Sequence, residues 1–291
     1  MARVTVIGAG LLGSGFVTNL LAKGEAVTVW NRSPEKLAPL VERGAVAAAS
    51  PAEAVRGADR VHLVLSEDDA VEAVVAAFAG ALGDGVFVID HSTNAPARVA
   101  ERHPRLRAQG VRYVHAPVFM SPANAREAGG LMLLAASAEE ADALAPLLAP
   151  MTGRVWFVGE RCDLAATLKL TGNGVLLSLV GVLGDLIAMG EAQGLSPEQV
   201  LSLFEVFKPG NSFGFFGSRA ARKGAGPASF ELQMARKDLR LMLEAAGGPD
   251  DLVILPAVAA AMDRALEEGH AHKDYSVYAW PRGRHGAPGQ G

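Results

Sequence analysis

The sequence predicts an α/β fold in which an N-terminal Rossmann-type doubly wound sheet, residues 1–161, is followed by an all-α domain, residues 162–280, joined to it by a long interdomain helix. Three observations predict it. Short apolar β-branched segments alternate with helical runs as far as Gly159, a glycine-rich turn follows the first of those segments, and beyond Gly159 only helical periodicity remains. At 291 residues, half of them hydrophobic, the chain has material for two cores of ordinary size.

Residues 3–7, RVTVI, read as a buried strand, and Gly8-Ala9-Gly10-Leu11-Leu12-Gly13 leads from it into a helical run that closes at Gly24. A GxGxxG pattern alone is weak. Placed after a strand, before a helix and about 20 residues ahead of a second strand, AVTVW, it reads as a dinucleotide-binding turn. The glycines let the backbone approach a pyrophosphate, and the helix start, at Leu11 and Leu12, offers it a positive dipole end. After the second strand an NAD site carries an acid for the ribose 2′-hydroxyl. Here stand Asn31-Arg32-Ser33. Arg32 can grip a 2′-phosphate with paired hydrogen bonds and no carboxylate repels it, so NADP(H) is preferred over NAD(H).

The rhythm continues with a helix over 34–43, a strand over 60–65, a helix over 68–81 and a strand over 86–90, and it predicts a parallel sheet. Leu65 and Ser66 end one strand at the cofactor crevice, and Ser66 with Asp69 has the spacing of a helix N-cap. His91-Ser92-Thr93-Asn94 follows the next strand, where open α/β sheets place ligands, although the same residues read equally well as another N-cap. A helix to 109, strands at 112–115 and 131–136, a helix to 149 and a last strand, VWFVG, complete the half. Residues 115–125, HAPVFMSPANA, read as a loop at a strand's C-terminal end and hence as a candidate substrate loop. His115 within it reads first as a packed histidine.

The second half predicts helices over 163–193, 196–207, 213–223, 227–246 and 249–268, and a short piece near Tyr275. At about 100° per residue, Thr167, Thr171, Ser178 and Asp185 gather on one side of the first of these. Lys169 and Asn173 fall opposite, with Leu176, Val180, Leu183 and Ile187, so the lysine interrupts the apolar stripe. Either it snorkels out at the first turns or it faces a polar cleft. Only 15 uncharged residues separate Lys169 from Asp185, fewer than the ~18 or more of a spanning segment. The helix is therefore expected in a core. Lys237-Asp238, placed two turns after Phe230 on one helix, reads by itself as a solvated charge pair. The tail from Pro281, residues 281–291, is too rich in glycine and proline to pack and is expected to be flexible.

Composition narrows the class of function. A net charge of −4 and a pI near 6.0 leave no basic surplus for nucleic acid or an anionic membrane, so a small-molecule substrate is the expectation. The start enters a strand without a charged leader and apolar run, which points to the cytoplasm. Cys162 is the single cysteine, and neither cysteine nor histidine spacing suggests a metal; His270 and His272 read as an exposed pair in a polar turn.

Taken in order, GAGLLG, VTVWNRS, DHSTNAP, HAPV, Lys169 with Asn173, and FELQMARKDLRLM resemble the β-hydroxyacid dehydrogenase family, which includes 3-hydroxyisobutyrate dehydrogenases and glyoxylate and succinic semialdehyde reductases. The resemblance runs to about Tyr278. It implies an NAD(P)-dependent dehydrogenase or reductase that works as a homodimer or homotetramer. Lys169 matches the family's catalytic general acid/base and Asn173 its partner. Thr93 matches the threonine near the nicotinamide, and Lys237, with Phe230 ahead of it, the lysine that closes over cofactor and substrate. Where the family reads D-A-P-V-S-G-G for a substrate carboxylate, this chain reads His115-Ala116-Pro117-Val118-Phe119-Met120-Ser121. Ser121 is the remaining hydroxyl, and Phe119 and Met120 suggest a bulkier or more apolar substrate. An imine reductase of the same superfold is the alternative, and a cofactor-sensing module without catalysis is a third reading.

Overall fold

β-Branched residues form strands at nearly every place the sequence predicts them. In the computed structural model, which describes residues 2–280, the order is β1 (Arg3–Ile7), α1 (Leu11–Ala22), β2 (Ala26–Trp30), α2 (Ala38–Val41), β3 (Val46–Ala47), α3 (Pro51–Ala54), β4 (Arg60–Leu63), α4 (Asp68–Phe78) and β5 (Phe87–Asp90). Then come α5 (Pro96–Ala108), β6 (Arg112–His115), β7 (Val118–Phe119), α6 (Pro122–Glu127), β8 (Leu131–Ala135), α7 (Ala138–Leu148) and β9 (Arg154–Gly159). The helices that follow are α8 (Leu164–Ala192), α9 (Pro197–Val206), α10 (Phe213–Ala221), α11 (Leu232–Ala245) and α12 (Leu255–Glu267), with a 3₁₀ turn at Tyr275–Ala279. The tail assigned to 281–291 lies outside the described residues.

The chain divides into two compact units, residues 1–173 and 174 onward, so the boundary falls inside α8 and not ahead of residue 162. Packing explains the shift. Ala165, at the start of α8, is buried with Leu133 and Ala135 of β8, which binds the helix's first turns to the sheet.

In the first unit the strands lie in the order β3-β2-β1-β4-β5-β6-β8-β7, with β9 on β8. Neighbouring residues of one strand face opposite layers. Val6, Ile89 and Val114 pack with Phe16, Leu20 and Leu144 on one side. Ile7, Val88 and Tyr113 pack with Val71, Phe78 and Leu106 on the other. That alternation is what a doubly wound sheet requires, because each face is covered by helices. Each fully buried aliphatic or phenylalanine side chain contributes about 1.5–3 kcal/mol. The sheet is not wholly parallel, however. β8 runs antiparallel to β6 and β7, because β7 and α6 turn the chain back after His115.

Several local expectations are corrected. Pro39 sits at the second position of α2 and breaks the helix predicted over 34–43 into a 3₁₀ turn, Pro34–Leu37, and one α turn. α4 starts at Asp68 as predicted, but Glu67 holds the N-cap position, so Ser66 does not cap it. Nor do His91 to Asn94 cap α5, whose N-cap is Ala95.

In the second unit α11 and α12 pack through Leu232, Ala235, Leu239, Leu255, Ala259 and Met262. α11 begins at Leu232, not at residue 227. Phe230 lies ahead of the helix, because the segment there bonds to another: Ser229 N–H donates to Asp274, and Phe230 C=O accepts from Tyr275 N–H at 2.9 Å. α8 is not a core helix. By length and composition it could cross a bilayer, but only a small share of its apolar window is buried in the chain. Nor do its sides divide as expected, for Thr171 and Ser178 are exposed and so are Leu176 and Val180 of the apolar stripe. Val180 is 73% exposed, while Asp185 is 2% exposed and accepts the backbone N–H groups of Val253, Ile254 and Leu255, each at 2.7 Å. A carboxylate there satisfies donors at the start of α12 that have no intrahelical partner.

Candidate cofactor cleft and lysine site

The glycine turn is shaped by contacts that admit no side chain. Gly8 has φ +105°, and a Cβ on it would meet the Val64 carbonyl oxygen at 2.2 Å. A Cβ on Gly13 would meet the Gly8 carbonyl oxygen at 1.9 Å. These two glycines bring β1, α1 and the end of β4 together. Gly10 is different, with open space where a Cβ would stand. It is the N-cap of α1 and provides no side-chain cap, so the first-turn N–H groups stay available to an anion. Leu11 is 79% exposed at that start, and Leu12 is half-buried.

Asn31 organises this turn from the end of β2. Its Oδ1 accepts from Ala9 N–H at 3.0 Å, and its Nδ2 donates to the Ser33 carbonyl at 2.9 Å. Each half of the amide thus ties down one of the protein's own loops, with one N–H and one lone pair left over. Arg32 is left exposed beside a cleft of about 490 Å³ lined by Gly8, Gly10, Trp30, Asn31, Ser33 and Lys36 on one side. Val64, Leu65, Ser66, Ala70, Ala73 and Val74 line the other. The cleft has the size and mixed apolar and polar lining of a small-ligand site. Its open glycine turn and two adjacent cations fit a nicotinamide dinucleotide. Lys36 and Trp30 were missed by the sequence reading, although a cation four residues after Arg32 was a signal for the first.

A buried carboxylate holds the next edge. Asp90, at the end of β5, accepts from Ser92 N–H at 2.9 Å, Asn94 Nδ2 at 2.6 Å and Tyr113 Oη at 2.7 Å. Ser92 Oγ then accepts from Leu65 N–H at 2.9 Å, which ties this loop to the cleft. Thr93 is pushed out and exposed at the strand's end. His115 is fully buried with Nε2 on the Ser92 carbonyl at 3.0 Å, and burial lowers its pKa, as suits a packed histidine.

Lys169 and Asn173 lie one turn apart on α8, both half-buried. Among the described residues no carboxylate pairs with Lys169. Its Nζ lies over the Phe119 ring, 4.2 Å from the centroid, and burial lowers its pKa. The predicted loop around Phe119 is structured. Phe119 pairs with Leu131 in the sheet, and Met120 packs partly buried against the apolar core. Ser121 caps α6, its Oγ accepting from Asn124 N–H at 3.1 Å and donating to Asn124 Oδ1 at 2.8 Å. The hydroxyl expected to meet substrate is therefore engaged in a capping box. Lys237 and Phe230 belong to the second unit. There Lys237 Nζ pairs with Asp238 at 2.8 Å, and Phe230 packs edge-on to Tyr275.

Residues 3–159 match the family model described as the NAD binding domain of 6-phosphogluconate dehydrogenase. The glyoxylate/succinic semialdehyde reductase 1 of Arabidopsis thaliana is 30% identical over 94% of this chain and 96% of that protein. An oxidoreductase of Bacillus subtilis is 28% identical over 94% of this chain and 98% of that one. The solved reductive aminase of Aspergillus terreus, in complex with NADPH and ethyl levulinate, superposes with a TM-score of 0.83 at 23% identity, covering 96% of this chain and 98% of its own, which shows a shared fold. The cleft, the fold and these relatives make the chain a nicotinamide-dependent oxidoreductase, and it belongs to the 6-phosphogluconate dehydrogenase NAD-binding family as a β-hydroxyacid dehydrogenase-like member.

Proposed function

We propose that the chain is an NADPH-dependent reductase of a small carbonyl compound, an aldehyde, semialdehyde or keto acid, with Lys169 as general acid. A half-buried lysine with no carboxylate paired to it among the described residues carries this reading. The glycine turn with Arg32 and Lys36 would hold the dinucleotide, whose nicotinamide would supply hydride for the carbonyl carbon. Lys169 gives the carbonyl oxygen its proton, and Asn173 one turn on orients that oxygen. In the reverse direction the same amine acts as base. Burial brings its pKa down toward working pH, where a positioned acid contributes roughly 10²–10⁴-fold in rate. Lys169→Ala should cost that factor with glyoxylate or succinic semialdehyde while NADPH binding, read by nucleotide fluorescence, is unchanged. Full turnover by the variant would end the assignment.

Preference for NADPH rests on Arg32 and Lys36, two cations at one wall of the cleft with no acid between β2 and the 3₁₀ turn's first residue. Imine reduction is the second reading, supported by the apolar Phe119 at the lysine. Turnover of a cyclic imine in preference to both aldehydes would select it. A homodimer or homotetramer is supported by the exposed Leu176, Leu177 and Val180 of α8, apolar side chains that a second copy of the chain would cover. The cytoplasm is the compartment we assign, as the supply of NADPH there suits the reaction.

A further inference from the structure

A charged lysine in a half-buried place normally meets an acid, and Lys169 meets a ring instead. Phe119 is held there from several directions. Its backbone is paired with Leu131 across β8, and its side chain joins Leu131, Val158 and Leu168 in one apolar cluster. Its edge lies against α8 so closely that a Cβ on Gly172 would stand 2.3 Å from Cζ. The capping box of Ser121 and Asn124 fixes the chain just beyond it. The ring therefore has one place to be, and the Lys169 ammonium lies 4.2 Å from its centroid.

We propose that Phe119 is the positioning residue for Lys169, the face of its ring serving as counter-group in place of a carboxylate. The physical advantage is one of degree. The negative face of an aromatic ring attracts an ammonium and fixes its position, more strongly when both are desolvated. A carboxylate would fix it too, but it would hold the proton far more tightly and accept hydrogen bonds that the substrate oxygen must make. A ring cannot accept the proton, so Lys169 stays oriented and ready to release it. This rests on Lys169 being the proton donor, and the test separates the two claims.

Two quantities are measured against pH in the full-length enzyme: kcat/KM for NADPH-dependent reduction of succinic semialdehyde, and the rate at which acetic anhydride labels Lys169, followed by mass spectrometry. Phe119→Leu keeps apolar bulk and removes the ring. Gly172→Ala keeps both partners and displaces the ring. In each, the labelling midpoint and the alkaline limb of kcat/KM should move down by about half to one and a half pH units. A labelling midpoint unmoved in Phe119→Leu overturns the proposal, whatever Lys169→Ala does to turnover. A midpoint that moves while the alkaline limb stays supports the role of Phe119 and overturns Lys169 as proton donor.

Discussion

The two units treat their apolar residues in opposite ways. In the first, Val6, Ile7, Val88 and Ile89 are essentially without solvent contact, and successive residues of one strand are covered from opposite sides. In the second, Leu177 and Val180 of α8 are about three-quarters exposed, whereas its Asp185 is buried. A sheet between two helix layers determines for itself which residues are inside. A single long helix does not, because its apolar stripe is satisfied by any surface that covers it. The lesson is that apolar periodicity reports the shape of an element, and its burial reports its neighbours.

The sharpest way to break this contrast is to charge the exposed stripe. Leu177→Glu with Val180→Glu should abolish the proposed assembly, giving a monomer in sedimentation velocity where the wild type sediments as a dimer or tetramer, with the first unit's fold retained by circular dichroism. An unchanged oligomer would show that the stripe is not an interface.

Acid tests the opposite property in the first unit. His91 and His62 are fully buried between β4 and β5, with His62 Nδ1 and His91 Nε2 2.9 Å apart and His91 Nδ1 2.6 Å from the Ala116 carbonyl. That carbonyl can only accept, so His91 carries its proton on Nδ1, and Nε2 accepts from His62 Nδ1–H. Both rings are thus neutral. Burial lowers His91 to about 4, while an unfolded histidine titrates near 6.5. Between those values the unfolded chain binds the extra proton, so stability is intact above pH 6.5 and falls as pH falls to 4, by roughly 3 kcal/mol for this residue. Denaturant midpoints measured from pH 7.5 to 4.5 should decline accordingly, and His91→Gln should flatten the slope. A slope equal to wild type in that variant would contradict the assignment.

Asp185 sharpens the comparison from inside the second unit. Asp185→Ala leaves three N–H groups at the start of α12 without their acceptor and should cost about 2 kcal/mol, seen as a lower Tm, with Asp185→Asn recovering part of it. A loss below ~0.5 kcal/mol, typical of ordinary surface positions, would show that the cap is dispensable. Smallest of the four is the cleft. Arg32→Ala with Lys36→Ala should weaken NADPH binding by about tenfold or somewhat more, the scale of lost charge-assisted hydrogen bonds, and leave NADH binding unchanged. Equal weakening of both cofactors would remove the phosphate role.

Much of the cofactor cleft was legible because backbone geometry admits few residues. Gly8 and Gly13 stand where any Cβ would strike a carbonyl, so the sequence pattern and the turn are nearly one statement. The substrate side was legible in part. Ser121-Pro122-Ala123-Asn124 has the spacing of a capping box with proline at the first helical position, a signal read at other helices and passed over here. Phe230 was misplaced because helical propensity extends back to Pro227, while Asp274 and Tyr275, distant in sequence, hold that segment extended.

By itself the sequence determined seven of the nine strands, the glycine turn, the place of Arg32 and the turn that sets Lys169 and Asn173 on one helix, because each follows from local sterics and period, whereas the two-residue strands β3 and β7 carry too short a pattern to read. Only the tertiary structure decided that Asp185 turns inward, that Asn31 braces the glycine turn, and that Lys169 rests on a phenylalanine. Those three depend on what comes into contact across distant stretches of chain, and no local pattern encodes the identity of a neighbour.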